Sequence, residues 1–205
     1  MKVFDKTTID NLHHIQKINL INSATGYKSA NLVGTKSKSG ATNLAIFSSV
    51  THFGSSPAVF GFVLRPTTVA RNTYDNIKET GVFTLNPVFE DGIEDAHHTS
   101  AKYPKEVSEF DHTSFKELYK DDFHAPFVAD APLHIAMKYL EEYEIKCNGT
   151  ILVLAEIQKL YVREDLLEDD LFINLSKGKI AAINGLDAYA VATTNKRLTY
   201  QRPKK

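Results

Sequence analysis

Between Leu133 and Cys147 the apolar side chains fall on odd positions, Leu133, Ile135, Met137, Tyr139, Tyr143, Ile145 and Cys147, interrupted by Glu141. Lys138, Glu142, Glu144 and Lys146 occupy even ones. A period of two is the spacing of a half-buried β-strand, because successive side chains project to opposite faces of a sheet. Asn148-Gly149 follows, a dipeptide that tolerates positive φ at both turn positions, and Thr150 to Arg163 resumes with Ile151, Leu152, Val153 and Leu154. The two arms predict a β-hairpin. Its second arm is apolar on both faces near the turn, which places it deep in the sheet or against another subunit. Cys147, at the end of the first arm, is expected to pack in the core.

Upstream, Ser29 to Lys36, Thr42 to Val50, Pro57 to Leu64 and Val82 to Val88 have strand character. The turn-rich Ser37-Lys38-Ser39-Gly40 separates the first two. Thr67 to Gly81 predicts a helix with Ala70, Thr73, Tyr74 and Ile77 on one face, a threonine cap at the start and Gly81 as a left-handed closure. Glu90 to Asp122 turns polar with scattered aromatics, which predicts short helices or an ordered surface loop. Many strands with few helices predict one mainly β domain spanning residues 1–205, a closed or nearly closed antiparallel barrel.

Twenty-four Lys and Arg against twenty-five Asp and Glu leave a net charge of -1, so no basic surplus argues for nucleic acid or an anionic membrane. The single cysteine excludes an internal disulfide and any zinc site built on two thiolates, and fits a reducing compartment. The N-terminus lacks the apolar core of a signal peptide, and no stretch approaches a membrane span; a soluble cytoplasmic protein is expected. No G-x-G-x-x-G, P-loop or G-x-S-x-G pattern occurs, which disfavours a Rossmann enzyme, a P-loop nucleotidase and an α/β-hydrolase. His97, His98, Glu94, Asp95, Glu109, Asp111 and His112 lack metal-ligand spacing and are expected to be solvated, as are His13-His14 and the acidic run Glu164 to Asp170. No metal is expected.

Chemistry concentrates between Asn31 and Asn86. Asn43-Leu44-Ala45-Ile46-Phe47-Ser48-Ser49-Val50 sets small and polar residues into an apolar strand, where they let a flat ligand approach the backbone. The peptide groups and the Ser48 and Ser49 hydroxyls then suit the edge of a heteroaromatic ring. Arg65-Pro66-Thr67-Thr68 leaves the next strand and opens the helix, with Arg71, Asn72 and Thr73 in its first turn. Unpaired helix N-H groups, hydroxyls and two guanidinium groups make an anion site. A plain N-cap with salt-bridged arginines, and an edge strand with two solvated serines, are the simpler alternatives.

Gly34-Thr35-Lys36, Asn43-Leu44-Ala45 leading into Phe47-Ser48-Ser49-Val50, Arg65-Pro66, Arg71-Asn72-Thr73 with Asn76-Ile77, Gly81 to Asn86, Ser108-Glu109-Phe110 and Gly185-Leu186-Asp187-Ala188-Tyr189 occur in an order and spacing that resemble the flavin reductase-like family of FMN-binding split barrels, in particular its flavoredoxin-like branch. The resemblance implies a homodimeric Greek-key split β-barrel with FMN near the subunit interface. It implies that Asn43, Ala45, Ile46, Phe47, Ser48 and Ser49 line the ring and ribityl chain, and that Arg65, Thr67, Thr68, Arg71, Asn72 and Thr73 serve the phosphate. Thr99, Ser100 and Lys102 would lie by the flavin or its substrate pocket.

The activity so implied is a flavin reductase that takes a hydride from NAD(P)H and passes electrons to a second acceptor, with no obligatory protein acid or base. One departure bears on it: the Gly-Asp-His-type segment with which many members engage nicotinamide is absent. An FMN-binding electron-transfer protein without NAD(P)H activity is therefore the alternative. A barrel for another anionic aromatic ligand, such as pyridoxal phosphate or haem, is a third.

Overall fold

The computed structural model describes residues 1–194 and 196–203. Two short helices, α1 (Lys6–Asp10) and α2 (His14–Ala24), precede β1 (Lys28–Ser29), β2 (Asn31–Lys36), β3 (Thr42–Phe47), β4 (Thr51–Ser55) and β5 (Ala58–Leu64). Helix α3 (Asn72–Thr80), β6 (Val82–Pro87) and α4 (Ile93–His98) follow, then the small strands β7 (Glu117–Leu118) and β8 (Phe127–Val128). The long pair β9 (Leu133–Ile145) and β10 (Thr150–Val162) leads to β11 (Ala181–Asn184) and β12 (Ala188–Val191). Among the described residues no helix is long and apolar enough to cross a membrane.

Seven strands form one antiparallel sheet in the order β3-β2-β6-β9-β10-β5-β4. The sheet curls, and its two faces bury different clusters. Val33, Phe83, Leu85, Ile135 and Met137 meet Phe62, Leu64, Val153 and Ile77 of α3 inside the curl. Leu32 and Leu44 project the other way, onto Ala96 of α4, Phe110, Phe115, Val128 and Ile183. The fold is the mainly β split barrel expected.

The strand alternation of β9 holds only in part. Leu133 to Met137 are buried on both faces, because the second layer covers His134 and Ala136 as well. His134 donates from Nε2 to the Val128 carbonyl at 2.7 Å, and burial lowers its pKa, partly offset by that bond. Near Leu140 the pairing slips by one residue, since Leu154 faces Glu141 while Ala155 faces Tyr139. A bulge exchanges the faces of every residue beyond it, so Tyr143 is exposed and Glu142 half-buried. The hairpin forms, but through four residues, Lys146 to Gly149, with both the Asn148 and Gly149 amides bonded to the Ile145 carbonyl. Gly149 alone has positive φ; Asn148 instead accepts from the Thr150 amide at 3.0 Å. Cys147 therefore sits in the turn and is exposed, contrary to the core position expected of it.

Helix α3 begins at Asn72 rather than Thr67, with Arg71 at the N-cap and no threonine cap. Pro66 and the β-branched Thr67, Thr68 and Val69 disfavour helix, and Thr67 to Ala70 form an exposed turn. The other end is as expected, Gly81 closing it at φ 75°. Residues 1–27 carried no predicted element, yet they form α1, capped by Asp5 accepting from the Thr8 amide, and α2. Neither helix has a fully buried residue, which is why their periodicity is faint. Strand β4 was also hidden, its residues being small, polar and mostly exposed.

Gly34 lies where β2 passes under the chain before β8. A Cβ there would fall inside contact distance of the Pro126 carbonyl oxygen and 2.6 Å from Thr84 Oγ1, both fixed by the bond between them. Gly34→Ala is expected to lower stability by about 1–3 kcal/mol, the usual penalty of overpacking, read as a lower urea midpoint at unchanged slope.

Candidate functional site

The site is the place where the barrel stops short of closing. In the sheet β3 pairs only with β2, so one edge of β3 is open. The Ser37 amide bonds to the Ala41 carbonyl at the hairpin that joins the two strands. That sets the antiparallel phase: Asn43, Ala45 and Phe47 bond to β2, and Leu44 and Ile46 turn their peptide groups outward. Ser48 continues that phase where the strand gives way to a bend. Among the described residues, the Ile46 and Ser48 amides meet no protein acceptor.

Two side-chain tethers draw this edge to the chain that leaves β5. At the far end, Ser49 Oγ donates to the Val63 carbonyl at 3.1 Å and receives the Val63 amide at 3.0 Å. At the near end, buried Asn43 donates from Nδ2 to Thr73 Oγ1 at 3.0 Å, fixing β3 to the start of α3. Asn76 of the same helix donates to Thr35 Oγ1 on β2 at 3.1 Å. Leu44 to Ser48 and Leu64 to Asn72 are thus two lengths of chain held together at both ends. The two stretches share an anchor at each end and run free of mutual hydrogen bonds between them.

The second stretch is cationic. Arg65, Thr67 and Thr68 are exposed on the turn, and Asn72 is half-buried in the first turn of α3. The leading amides of α3 have no side-chain cap. Arg71 is half-buried; its Nη2 reaches the Pro66 carbonyl only at 3.5 Å, and its Nε is buried with no protein partner. An unpaired buried N–H costs about 1–3 kcal/mol, so a guanidinium held beside free helix amides has the character of an anion site awaiting its anion.

Asn43, Ala45, Ile46, Phe47, Ser48 and Ser49 thus lie along β3 and the bend after it, and Arg65, Thr67, Thr68, Arg71, Asn72 and Thr73 along the turn and start of α3, the two joined by the Asn43–Thr73 bond. Several of these side chains are structural in this state: Asn43 and Thr73 are consumed by each other, the Ser49 hydroxyl by Val63, and Phe47 packs edge-on to Phe62 at 5.0 Å. What they offer a ligand is backbone, which leaves the Ser49 hydroxyl out of the ring-edge role expected of it.

Thr99 is buried and closes α4, its hydroxyl donating to the Ala96 carbonyl at 2.7 Å; Ser100 and Lys102 are exposed on the segment that follows. That segment leaves from the outer face of β3, where Ala96 shares a core with Leu44 and Ile46. Beside it, His98 pairs with Tyr103 at 2.7 Å, and the Tyr103 ring stacks on His112 at 4.5 Å. Glu109, expected to be solvated, is buried: its carboxylate accepts the Leu44 amide at 2.8 Å. Burial raises its pKa, partly offset by that bond. The one sequence signal for it was its place inside Ser108-Glu109-Phe110. Among the described residues no group of His, Cys, Asp or Glu could hold a metal ion.

Compared with known proteins, the chain matches the model of the Flavin reductase like domain over residues 28–181. It superimposes on a candidate flavin reductase with split barrel domain from Shewanella frigidimarina with TM-score 0.94 at 40% identity, covering 98% of this chain and 100% of that one. Flavoredoxin of Desulfovibrio vulgaris gives TM-score 0.75 at 20% identity over 85% of this chain and 92% of that one. An FMN-binding protein of Thermus thermophilus gives 0.72 at 14% over 86% and 93%. The last two are similar in fold.

Ser49→Ala removes both tethering bonds and strands the Val63 amide. It is expected to cost about 1–3 kcal/mol, seen as a reduced urea midpoint, with the β5 end becoming more open to hydrogen exchange.

Proposed function

The chain belongs to the flavin reductase-like family, and from that premise we propose that it binds FMN between β3 and the β5–α3 turn and works as an NAD(P)H-dependent flavin reductase that hands electrons to a second acceptor. One observation supports the reading: side-chain bonds anchor a strand edge with free amides to the chain that carries an unpaired buried guanidinium and an uncapped helix start. A flat heteroaromatic ring with hydrogen-bonding edges and a phosphorylated tail matches both. A relative of the same fold is named for binding FMN.

Bound FMN supplies the hydride and electron chemistry, so the chain needs no acid or base of its own. The Ile46 and Ser48 amides would be donors to the edge of a bound ring, and being fixed by the sheet they would need no reorganisation to serve. Arg71, Arg65 and the leading amides of α3 neutralise the phosphate. Thr99, by closing α4, positions Ser100 and Lys102 at the side from which a second reactant enters. We place the protein in the cytoplasm, where an exposed lone thiol such as Cys147 stays reduced.

We further propose that it works as a homodimer. Leu152 stands opposite Tyr143 and Val63, and Leu154 opposite Gly61, against which Phe53 packs. These side chains make an apolar strip across β9, β10 and β5 that no other part of the described chain buries, ending beside Arg65.

The purified protein is expected to be yellow and to release FMN on heating. Arg71→Ala should weaken FMN binding by about 1–3 kcal/mol, roughly five- to 150-fold, in a fluorescence titration. Unchanged affinity would remove Arg71 from the phosphate site. Steady-state NAD(P)H consumption with added flavin separates the reductase from an electron carrier, which would hold FMN without turnover. On size exclusion the wild type should elute as a dimer and Leu154→Asp as a monomer.

A further inference from the structure

We propose that Glu109 is a positioning residue that closes the open edge of β3 at Leu44 and thereby fixes where along that edge a flavin ring is received; the second half rests on the FMN reading above. The edge of β3 would otherwise offer a row of outward peptide groups, each able to engage a ring edge or another strand. Two side chains from the turn that follows Val107 occupy its beginning. Ser108 Oγ lies 2.9 Å from Thr42 Oγ1, and Glu109 accepts the Leu44 amide at 2.8 Å. Ser108 holds the Thr42 side chain, which also donates to Glu117 at 2.6 Å, so the turn is anchored beside the edge, and Glu109 alone stands in for a partner strand, at the Leu44 amide and no further. The first outward amide left free is that of Ile46, and the next is that of Ser48.

The carboxylate is an expensive way to do this. Glu109 is only 5% exposed, and among the described residues no Lys or Arg pairs with it. His112, three residues on in the same turn, acts on it in the lowering direction, against the effect of burial. A leucine would fill the same space without the desolvation cost, but would leave the Leu44 amide unsatisfied and the edge one position longer. Edge closure, which a leucine cannot supply, accounts for an acid at this depth.

The test is amide exchange by NMR with FMN titration on flavin-free wild type, Glu109→Gln and Glu109→Leu. Glutamine retains an acceptor oxygen; leucine retains volume without one. In flavin-free wild type the Leu44 amide should be protected while those of Ile46 and Ser48 exchange freely, and FMN should protect the latter two. In Glu109→Leu, Leu44 exchange should rise at least about tenfold, matching the loss of one hydrogen bond, and FMN affinity should fall by a similar factor. Glu109→Gln should stay within about threefold of wild type in both. Unchanged Leu44 exchange in Glu109→Leu overturns edge closure, whatever the flavin does. Deprotected Leu44 with wild-type FMN affinity overturns the positioning role. If FMN protects neither Ile46 nor Ser48 in wild type, the flavin reading and the positioning role fall together, while Leu44 exchange still decides edge closure.

Discussion

A curled antiparallel sheet must either pair its last strand with its first or leave an edge, and here β3 stays an edge that side chains anchor to β5 and α3. Ser49 bridges to Val63 and Asn43 to Thr73, one bond set at each end of β3. Backbone pairing along the same line would have consumed the outward peptide groups of Leu44, Ile46 and Ser48. Tethering by side chains anchors the edge at two points and leaves the Ile46 and Ser48 amides free, while Glu109 takes that of Leu44.

The rest of the structure serves that arrangement. The inner core, from Val33 to Met137, sets the curvature, and Gly34 permits β2 to pass close under Pro126. The outer layer of α4 and the turn around Phe110 backs β3 from its other face, so that an edge strand with few pairing partners is still held flat. Several polar groups that a folded protein normally satisfies are left unpaired here: two edge amides, the leading amides of α3 and the Arg71 Nε. Unspent hydrogen-bonding capacity costs stability in the free protein and is returned on binding.

Much of this was legible residue by residue. The alternation from Leu133, the Ser37 to Gly40 turn, the closing Gly81 and the order of small motifs from Gly34 to Tyr189 depend on local geometry, and local geometry follows from local sequence. The failures share a cause as well. Cys147 looked buried because the period of two was carried through a bulge near Leu140 that no local signal marks. The helix start was set at Thr67 because threonines can cap, although Pro66 and three β-branched residues in a row oppose it. Helices α1 and α2 bury too little to imprint a strong period on residues 1–27.

Local sequence was enough to mark six of the seven strands of the large sheet, the mainly β barrel they form, and the residue types suited to a ring and an anion. Only the tertiary structure decided how those residues are used: that Asn43, Thr73 and the Ser49 hydroxyl are tethers, that Arg71 is left without a partner, and that Glu109 is a buried cap on Leu44 and not a solvated acid. Hydrogen-bond partners thirty or sixty-five residues apart are chosen by the curl of the sheet, which sums the twist of every strand. No window of sequence contains that sum.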